Sequence, residues 1–568
     1  MGKAKKKEIK SAASQLSALC SIRLKPRKIW QASFIALFSC SFLTSAWILP
    51  AVSAERIAFD YGILGEFYIS IADLEAFAKE GKITPGFAYY ADRFSPKDLA
   101  QLRNLLNRSF KISVVTTSTF VNLPIGKQLL KEIGLIIDSP ENVSQPALRA
   151  SLILAAAEPE GLTILSVLRH YTTKTLKLNT KRIFEAVDEA TKLLTDTEQV
   201  FQTLGQEAKR VATGNSLDLN TFADLSNSGQ KKWRKENITV RSDSDRQIEG
   251  VVYLPISTDK PAPVVVVAPG LNTNWQNFTY IAEHLADYGF GVAAVNFPGT
   301  NARRVNAVLN GLDTPPKDNQ WIEQPKIVTR LLDEMERKSQ NEESWRGKLD
   351  LQRVGIIGQS LGGYTAMAIA GAKVDWQHLQ KECQKIGNPE QIDLNPALFW
   401  QCQSATNSSP NTDLRDRRIV AAIAINPVTN PVFSQSGMSQ FDSPLLIIAG
   451  DKDIFAPALD EQLVPFTWLP KNNKYLVLVK NSTHFSFIAE GDSDEFELPI
   501  NIMGFNPGLA RSYLKVLSVA FFETHLAQQN EFRFYLTESY IKRLSKPPLA
   551  INLLRSLNAS QLNKLIEK

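Results

Sequence analysis

The chain has 568 residues, of which 44% are hydrophobic and 21% charged, a composition that excludes disordered, collagen-like and coiled-coil proteins. At about 100 to 250 residues per domain, this length predicts two or three folded units. The net charge of +6 is concentrated in residues 1–54, where nine Lys or Arg residues face Glu8 alone, so the rest of the chain is slightly acidic. We therefore expect no nucleic-acid partner.

Residues 1–54 are predicted to be a secretory signal peptide. A basic stretch ends at Lys28, the run 29–54 carries no charge, and Val52-Ser53-Ala54 provides the small residues that a signal peptidase needs. We therefore expect export to the periplasm or the extracellular space. The alternatives are an uncleaved membrane anchor at residues 29–50 and a lipoprotein signal at Cys40.

Residues 55–211 are predicted to form an all-α domain. Ser95 and Asp98 have the spacing of a capping box at the start of a helix whose leucines share one face. Residues 180–209 form a second, longer amphipathic stretch. The polar residues 212–234 are predicted to be a linker.

After residue 235 the sequence pattern changes, because apolar β-branched runs now alternate with helical patterns. Runs that are apolar throughout are typical of strands covered on both faces of a parallel sheet. We therefore predict an α/β fold with a mostly parallel sheet over residues 235–530, followed by a helical tail over residues 531–568. The predicted strands are 251–254, 264–268, 291–295, 354–357, 419–425, 445–449 and 475–479.

Ser360 is the predicted nucleophile. The motif Gly358-Gln359-Ser360-Leu361-Gly362 directly follows a predicted strand and leads into a helical stretch. Such a motif holds a serine on a sharp strand-to-helix turn, and glycine on either side lets the two elements approach closely. The amide of Leu361, at the start of the helix, is then a predicted oxyanion donor.

The chain order serine, acid, histidine leaves two histidines as the base. His484 follows a predicted strand in a loop, whereas His525 lies within a helical stretch, so His484 is the predicted base. The strand at 445–449 leads into two carboxylates. Asp453, past the turn, is the predicted acid, and Asp451 is the alternative.

A second oxyanion donor is predicted in the loop that follows the strand 264–268. The backbone amide of Leu271, after Pro269-Gly270, occupies that place.

Two of the four cysteines lie in the predicted leader. In an exported protein Cys383 and Cys402 are therefore predicted to form one disulfide bond, the alternative being two unpaired thiols. No Cys or His pair has the spacing of a zinc site, and we expect no metal.

Residues 235–530 resemble the α/β-hydrolase fold, and within it the plasma-type platelet-activating-factor acetylhydrolases and dienelactone-hydrolase-like esterases. Many α/β hydrolases have His-Gly where this chain has Pro269-Gly270. Residues 55 to about 180 are similar to a bacterial helical domain of uncharacterised function that precedes such hydrolases in exported proteins. The matching segments are 269–271, 296–299, 358–362, 450–453 and 482–485.

The resemblance implies a serine hydrolase that needs no cofactor and cleaves carboxylic esters, with short or oxidised acyl esters of lipids as the expected substrates. It also implies work at a lipid surface. The alternatives are a peptidase or thioesterase with the same triad, and a non-catalytic binding or scaffold protein. Five aromatic residues near the predicted site are expected either to bind an acyl chain or to belong to the core: Phe433, Phe455, Phe466, Trp468 and Phe487.

Overall fold

The computed structural model of the chain describes residues 53–60, 65–191, 195–211, 222–242, 246–316, 319–388, 392–405, 413–472, 474–491 and 503–567. The predicted signal peptide, apart from Ser53 and Ala54, and residues 212–221 of the predicted linker lie outside the described residues. The described residues of 54–171 and 175–568 form one compact unit, and residues 53 and 172–174 belong to a second.

The main sheet contains nine strands among the described residues. Six of them, in the order β11-β10-β9-β8-β6-β7, run parallel, while β5 and β4 extend one edge and β12 the other with antiparallel pairing. The strands are β4 (Trp233–Arg241), β5 (Gln247–Pro255), β6 (Ala262–Ala268), β7 (Gly291–Val295), β8 (Leu349–Gln359), β9 (Ile419–Ile425), β10 (Leu445–Gly450), β11 (Lys474–Val479) and β12 (Ile551–Leu554).

The prediction of an α/β fold with a mostly parallel sheet is confirmed. All seven predicted strands fall within β5 to β11, and every residue of β7, β10 and β11 is buried. Strands β6, β7, β9 and β10 are apolar throughout because helices cover both faces of the sheet. One apolar core lies on each face.

Helices of the α/β region cover the two faces. Helices α12 and α13 contribute to one core, and α10 and α18 to the other. The helices in this region are α10 (Thr279–Asp287), α11 (Ala302–Leu309), α12 (Gln320–Asn341), α13 (Leu361–Ala370), α14 (Trp376–Cys383), α15 (Pro396–Cys402), α16 (Gln435–Met438), α17 (Val464–Trp468), α18 (Pro507–His525), α19 (Glu538–Leu544) and α20 (Ala559–Ile566).

The N-terminal region is mainly helical, as expected, but it also contains a three-stranded sheet that the sequence prediction lacked. In this sheet β1 (Arg56–Asp60) pairs antiparallel with β2 (Glu66–Ser70) and parallel with β3 (Thr175–Leu178). The strands are short, and the parallel partner of β1, strand β3, lies more than 100 residues away, so no local pattern indicates that pairing. The helices are α1 (Ile71–Glu80), α2 (Pro85–Ala91), α3 (Pro96–Leu106), α4 (Val114–Asn122), α5 (Pro124–Gly134), α6 (Glu141–Ala156), α7 (Ile164–Arg169), α8 (Thr180–Thr191) and α9 (Thr197–Val211).

The N-terminal region packs on the α/β region through a buried carboxylate. Glu132 of α5 is 1% exposed and accepts hydrogen bonds from the backbone amides of Gly387 and Asp393. Burial raises the pKa of Glu132. A buried carboxylate is tolerated where hydrogen-bond donors satisfy it, so this contact fixes α5 against the segment between α14 and α15.

Cys383 at the end of α14 and Cys402 at the end of α15 are joined by a disulfide bond. This bond joins the two ends of the segment whose backbone amides donate to Glu132. Within the described ranges, no helix has both the length and the apolar character that crossing a membrane requires.

The C-terminal tail, expected to be helical, also contributes strand β12 to the main sheet. Ile551 and Leu553 are each 1% exposed, and β12 pairs with β11. Strand β12 is only four residues long, and the hydrophobic pattern of so short a segment does not distinguish a strand from a helical turn. The tail is therefore part of the folded core.

Because β12 is part of the main sheet, we expect Leu553→Ala to lower the free energy of unfolding by about 2 to 4 kcal/mol. The substitution removes buried apolar volume from the sheet core. Urea denaturation followed by circular dichroism measures the change. Ser556→Ala, at an exposed position three residues later, is the matched control and should have little effect. Equal stability of the two variants would contradict the placement of β12.

Candidate active site

The predicted site residues gather at one edge of the main sheet. Leu271 follows β6, Ser360 follows β8, Asp453 follows β10 and His484 follows β11. Because these strands are parallel, their carboxyl ends meet at the same edge. Residues more than 200 positions apart in the chain are thereby brought together where α/β folds place their sites.

Ser360 lies on the turn between β8 and α13 with φ 56° and ψ −120°. A residue other than glycine rarely adopts such a backbone, so the surrounding structure has to hold it there. The Ser360 amide donates to the carbonyl of Ile425 at 2.9 Å, and its carbonyl accepts from the amide of Tyr364 at 3.0 Å. These bonds fix the serine at the edge of the sheet.

The glycines of the motif are required by close backbone contacts. A Cβ atom on Gly358 would lie 2.0 Å from the carbonyl oxygen of Gly362, and one on Gly362 would lie 2.0 Å from that of Ala268. A Cβ atom on Gly270 would lie 3.1 Å from Cβ of Ser360. The absence of a side chain at Gly270 therefore lets the loop that carries Leu271 lie next to Ser360.

His484 is oriented by Asp453. Nδ1 of His484 and Oδ2 of Asp453 are 2.7 Å apart, and the Asp453 side chain is fully buried. The other oxygen, Oδ1, accepts from the amides of Phe455 at 2.9 Å and Ala456 at 2.8 Å. A carboxylate held in this way fixes the imidazole with its proton on Nδ1 and leaves Nε2 as the basic atom.

Two residues of this network were not predicted from the sequence. Asn426, directly after β9, donates through Nδ2 to Oδ2 of Asp453 at 2.6 Å. Gln359, the last residue of β8, donates through Nε2 to the carbonyl of His484 at 3.1 Å. Each is a polar residue at the carboxyl end of an apolar run. That position is the sequence feature from which a role in the site could have been predicted.

The contacts of Ser360 itself are limited. Among the described residues no hydrogen bond joins its Oγ atom to His484. Gln359 instead connects the two segments, since it precedes the serine and bonds to the histidine backbone.

The structure brings Asp453, and not the alternative Asp451, to His484. Asp451 accepts from the amide of Asn481 at 2.6 Å through Oδ1, while its Oδ2 is buried without a hydrogen-bond partner in the described part of the chain. Burial raises the pKa of Asp451 to about 6. Asp451 therefore ties the strand end of β10 to the turn that precedes His484.

The competing histidine, His525, lies in α18, and its Nε2 is 2.9 Å from the hydroxyl of Tyr475. Burial lowers its pKa to about 4. His525 is therefore a packing residue of the core below the sheet.

The two predicted oxyanion donors have free amides. Leu361 is the first residue of α13, where the amide has no acceptor within the helix. Across the described ranges, neither its N–H nor that of Leu271 has a hydrogen-bond acceptor. Both amides are therefore available to a bound oxygen.

Three of the five aromatic residues considered for acyl binding belong to the core. Phe433, Phe466 and Phe487 are fully buried, and Trp468 packs against the core. Trp468 is only partly buried, and Phe455 is exposed, at 41%, with its ring 5.7 Å from that of His484, centroid to centroid.

A cavity of about 300 Å³ opens beside Leu271. Its walls come from both regions of the chain and are mainly apolar, with α4 and α5 on one side and α11, α12 and α15 on the others. The site thus combines a strained serine, an oriented histidine, two free amides and an adjacent apolar cavity.

Comparison with known families matches residues 53–179 to the model of a family described as alpha/beta hydrolase of unknown function (DUF1400). No match was found among curated proteins. The matched residues lie in the N-terminal region, outside the main sheet. The chain is thus similar to an α/β-hydrolase family through this region and has the α/β fold in the remainder.

The buried carboxyl of Asp451 makes stability depend on pH. Its pKa rises from 3.8 in the unfolded chain to about 6 in the folded one, so the native state binds this proton more tightly. The free energy of unfolding therefore falls as pH rises from about 4 to about 6, and it stays at the lower value above pH 6. Asp451→Asn removes the charge and should raise the free energy of unfolding at pH 8 by about 2 kcal/mol, with little change near pH 4.

Urea denaturation at the two pH values measures this difference. Asp259→Asn, at an exposed position, is the control and should give no gain at either pH. A gain for Asp451→Asn that is equally large at pH 4 would contradict the assignment to a buried charge.

Proposed function

We propose that the protein is a serine hydrolase that cleaves carboxylic esters through an acyl-enzyme. The observation that carries the proposal is the 2.7 Å hydrogen bond between His484 and the buried Asp453, at the same sheet edge as Ser360 on its strained turn. A nucleophile, a base and an acid in this order and at this edge are the parts that acyl transfer needs.

In the first half of the reaction, Nε2 of His484 takes the proton of Ser360 as Oγ attacks the ester carbonyl carbon. The amides of Leu271 and Leu361 donate to the oxygen that becomes negatively charged. Asp453 stabilises the imidazolium. The C–O bond to the alcohol then breaks, and the alcohol leaves with the proton from His484, which forms the acyl-enzyme.

In the second half, water replaces the alcohol. His484 takes a proton from the water as its oxygen attacks the acyl carbon, and the same proton returns to Oγ of Ser360 as the carboxylic acid leaves. The balance of the reaction is ester plus water to acid plus alcohol.

Short or oxidised acyl esters of lipids are the proposed substrates, in line with the resemblance of the segments around Ser360, Asp453 and His484 to platelet-activating-factor acetylhydrolases. The exposed side chains of Ile454 and Phe455 next to the site support an apolar substrate and an approach to a lipid surface. We further propose that the protein is exported, since a disulfide bond between Cys383 and Cys402 persists in an oxidising compartment.

The test is hydrolysis of nitrophenyl esters from acetyl to palmitoyl by the purified chain and its Ser360→Ala variant. Loss of the nucleophile should lower kcat by about 10⁴-fold or more with folding intact, because the histidine then has no hydroxyl to activate. Circular dichroism and thermal unfolding check the fold of the variant.

Paired variants distinguish the proposed catalytic residues from neighbouring residues of the same type. His484→Ala and Asp453→Asn should lose activity, while His525→Ala and Asp451→Asn should retain most of it. Wild-type activity in Ser360→Ala would contradict the proposal. The absence of ester turnover in the wild-type chain would favour the binding or scaffold function instead.

A further inference from the structure

Asn426 is a buried residue outside the predicted triad that contacts the candidate acid directly. It follows the last residue of β9 and is 0% exposed. Its Nδ2 donates to Oδ2 of Asp453 at 2.6 Å, and Nδ1 of His484 lies 2.7 Å from the same oxygen. The Asn426 amide and the imidazole therefore share one carboxylate oxygen.

The other oxygen of Asp453 is anchored separately. Oδ1 accepts from the backbone amides of Phe455 and Ala456, which belong to the same turn as the acid. These two bonds hold one end of the carboxylate and leave the direction of Oδ2 open. Within the described residues, Asn426 is the only group besides His484 that bonds to Oδ2. A bond from a different strand thus sets the direction of the oxygen that the imidazole needs.

The conformation of Asn426 is unfavourable in two respects. Its φ is 44°, a left-handed backbone that glycine adopts without strain and other residues adopt at a cost. Its Oδ1 is buried and has no hydrogen-bond partner in the described part of the chain. A buried acceptor without a partner costs free energy, and glycine at this turn would avoid both costs. The contact of Nδ2 with Asp453 therefore explains why an asparagine is present.

The backbone around Asn426 is held by neighbouring elements. The Asn426 amide donates to the carbonyl of Ile448 in β10 at 2.8 Å. Nε2 of the fully buried Gln462 donates to the carbonyl of Pro427 at 2.8 Å and, more weakly, to that of Ala456 at 3.4 Å. One side chain thus ties the residue after Asn426 to a residue that anchors the acid, which keeps the two at a fixed separation.

The charged residues next to Asp453 in the chain have other partners. Nζ of Lys452 lies 2.8 Å from Glu198, and Asp451 accepts from the amide of Asn481. Apart from the imidazole, the donors to the acid are therefore neutral N–H groups. Neutral donors orient the carboxylate and leave its negative charge available to the imidazolium that forms during the reaction.

We propose that Asn426 is a positioning residue for the proposed ester hydrolysis. It holds Oδ2 of Asp453 in line with the N–H at Nδ1 of His484, and it acts on the reaction only through these two residues. This inference rests on the proposed function and adds to it the side chain that keeps the acid and the base aligned.

The first experiment removes the side chain and keeps the backbone. Asn426→Gly and Asn426→Ser, whose hydroxyl ends short of Oδ2, should each lower kcat for nitrophenyl acetate by about 10- to 100-fold, because a buried hydrogen bond to a charged group is lost. KM should change less than about threefold, since the substrate does not touch Asn426.

Asn481→Gly is the matched control. Asn481 also lies just after a strand with a positive φ, 59°, but its side chain bonds to the carbonyl of Pro548 instead of the acid. This variant should retain most of the wild-type kcat. Wild-type kcat in both Asn426 variants, or a loss confined to KM, with native thermal unfolding, would overturn the proposal.

The second experiment observes the hydrogen bond itself and distinguishes positioning from a general loss of structure. In the Ser360→Ala protein, the proton on Nδ1 of His484 should give a separate downfield resonance in the proton NMR spectrum, because the buried carboxylate holds it and slows its exchange with water. His484→Ala identifies the resonance by abolishing it. Asn426→Gly should broaden or abolish the resonance, and Asn481→Gly should leave it unchanged.

A resonance that stays unchanged in Asn426→Gly would overturn the proposal. Failure of the wild-type chain to cleave any ester would contradict the proposed function alone, since the resonance is measured without turnover.

Discussion

The site depends on one steric constraint, the contact of β8 with the start of α13. Cβ atoms on Gly358 and Gly362 would lie 2.0 Å from the carbonyl oxygens of Gly362 and Ala268, which is too close, so this turn requires glycine at both positions. The constraint forces Ser360 into a backbone conformation that few residues adopt. It also draws the loop of Leu271 against the serine, so that one close contact positions the proposed nucleophile and both proposed oxyanion donors.

Residues 54–171 belong to the same compact unit as the main sheet and contribute one wall of the cavity beside Leu271. Glu132 joins it to the disulfide-linked segment, and Lys452, which precedes the candidate acid Asp453, forms a 2.8 Å ion pair with Glu198 of α9. The family match falls on this region rather than on the sheet that carries Ser360. The N-terminal region thus lines the cavity, whereas the proposed triad Ser360, Asp453 and His484 lies at the edge of the main sheet.

The features that could be predicted from the sequence are those that a local hydrophobic pattern or a local motif determines. Each of the strands β5 to β11 contains an apolar run, and the strand-to-helix context of Ser360 and the strand-end position of His484 follow from these runs. Strand β1 could not be predicted, because its parallel partner β3 lies more than 100 residues away. Asn426 and Gln359 were missed because each acts through a residue distant in the chain. The cavity was missed for the same reason, and the aromatic residues Phe433, Phe466 and Phe487, considered in its place, are core.

The central claim is that Ser360 is a nucleophile activated by His484. A fluorophosphonate reports this directly, because an activated serine oxygen displaces fluoride and forms a stable bond to phosphorus. After incubation of the purified chain, peptide mass spectrometry locates the modified residue. The account predicts modification at Ser360 in the wild type and its loss in His484→Ala. An unmodified Ser360, or equal modification without His484, would contradict it.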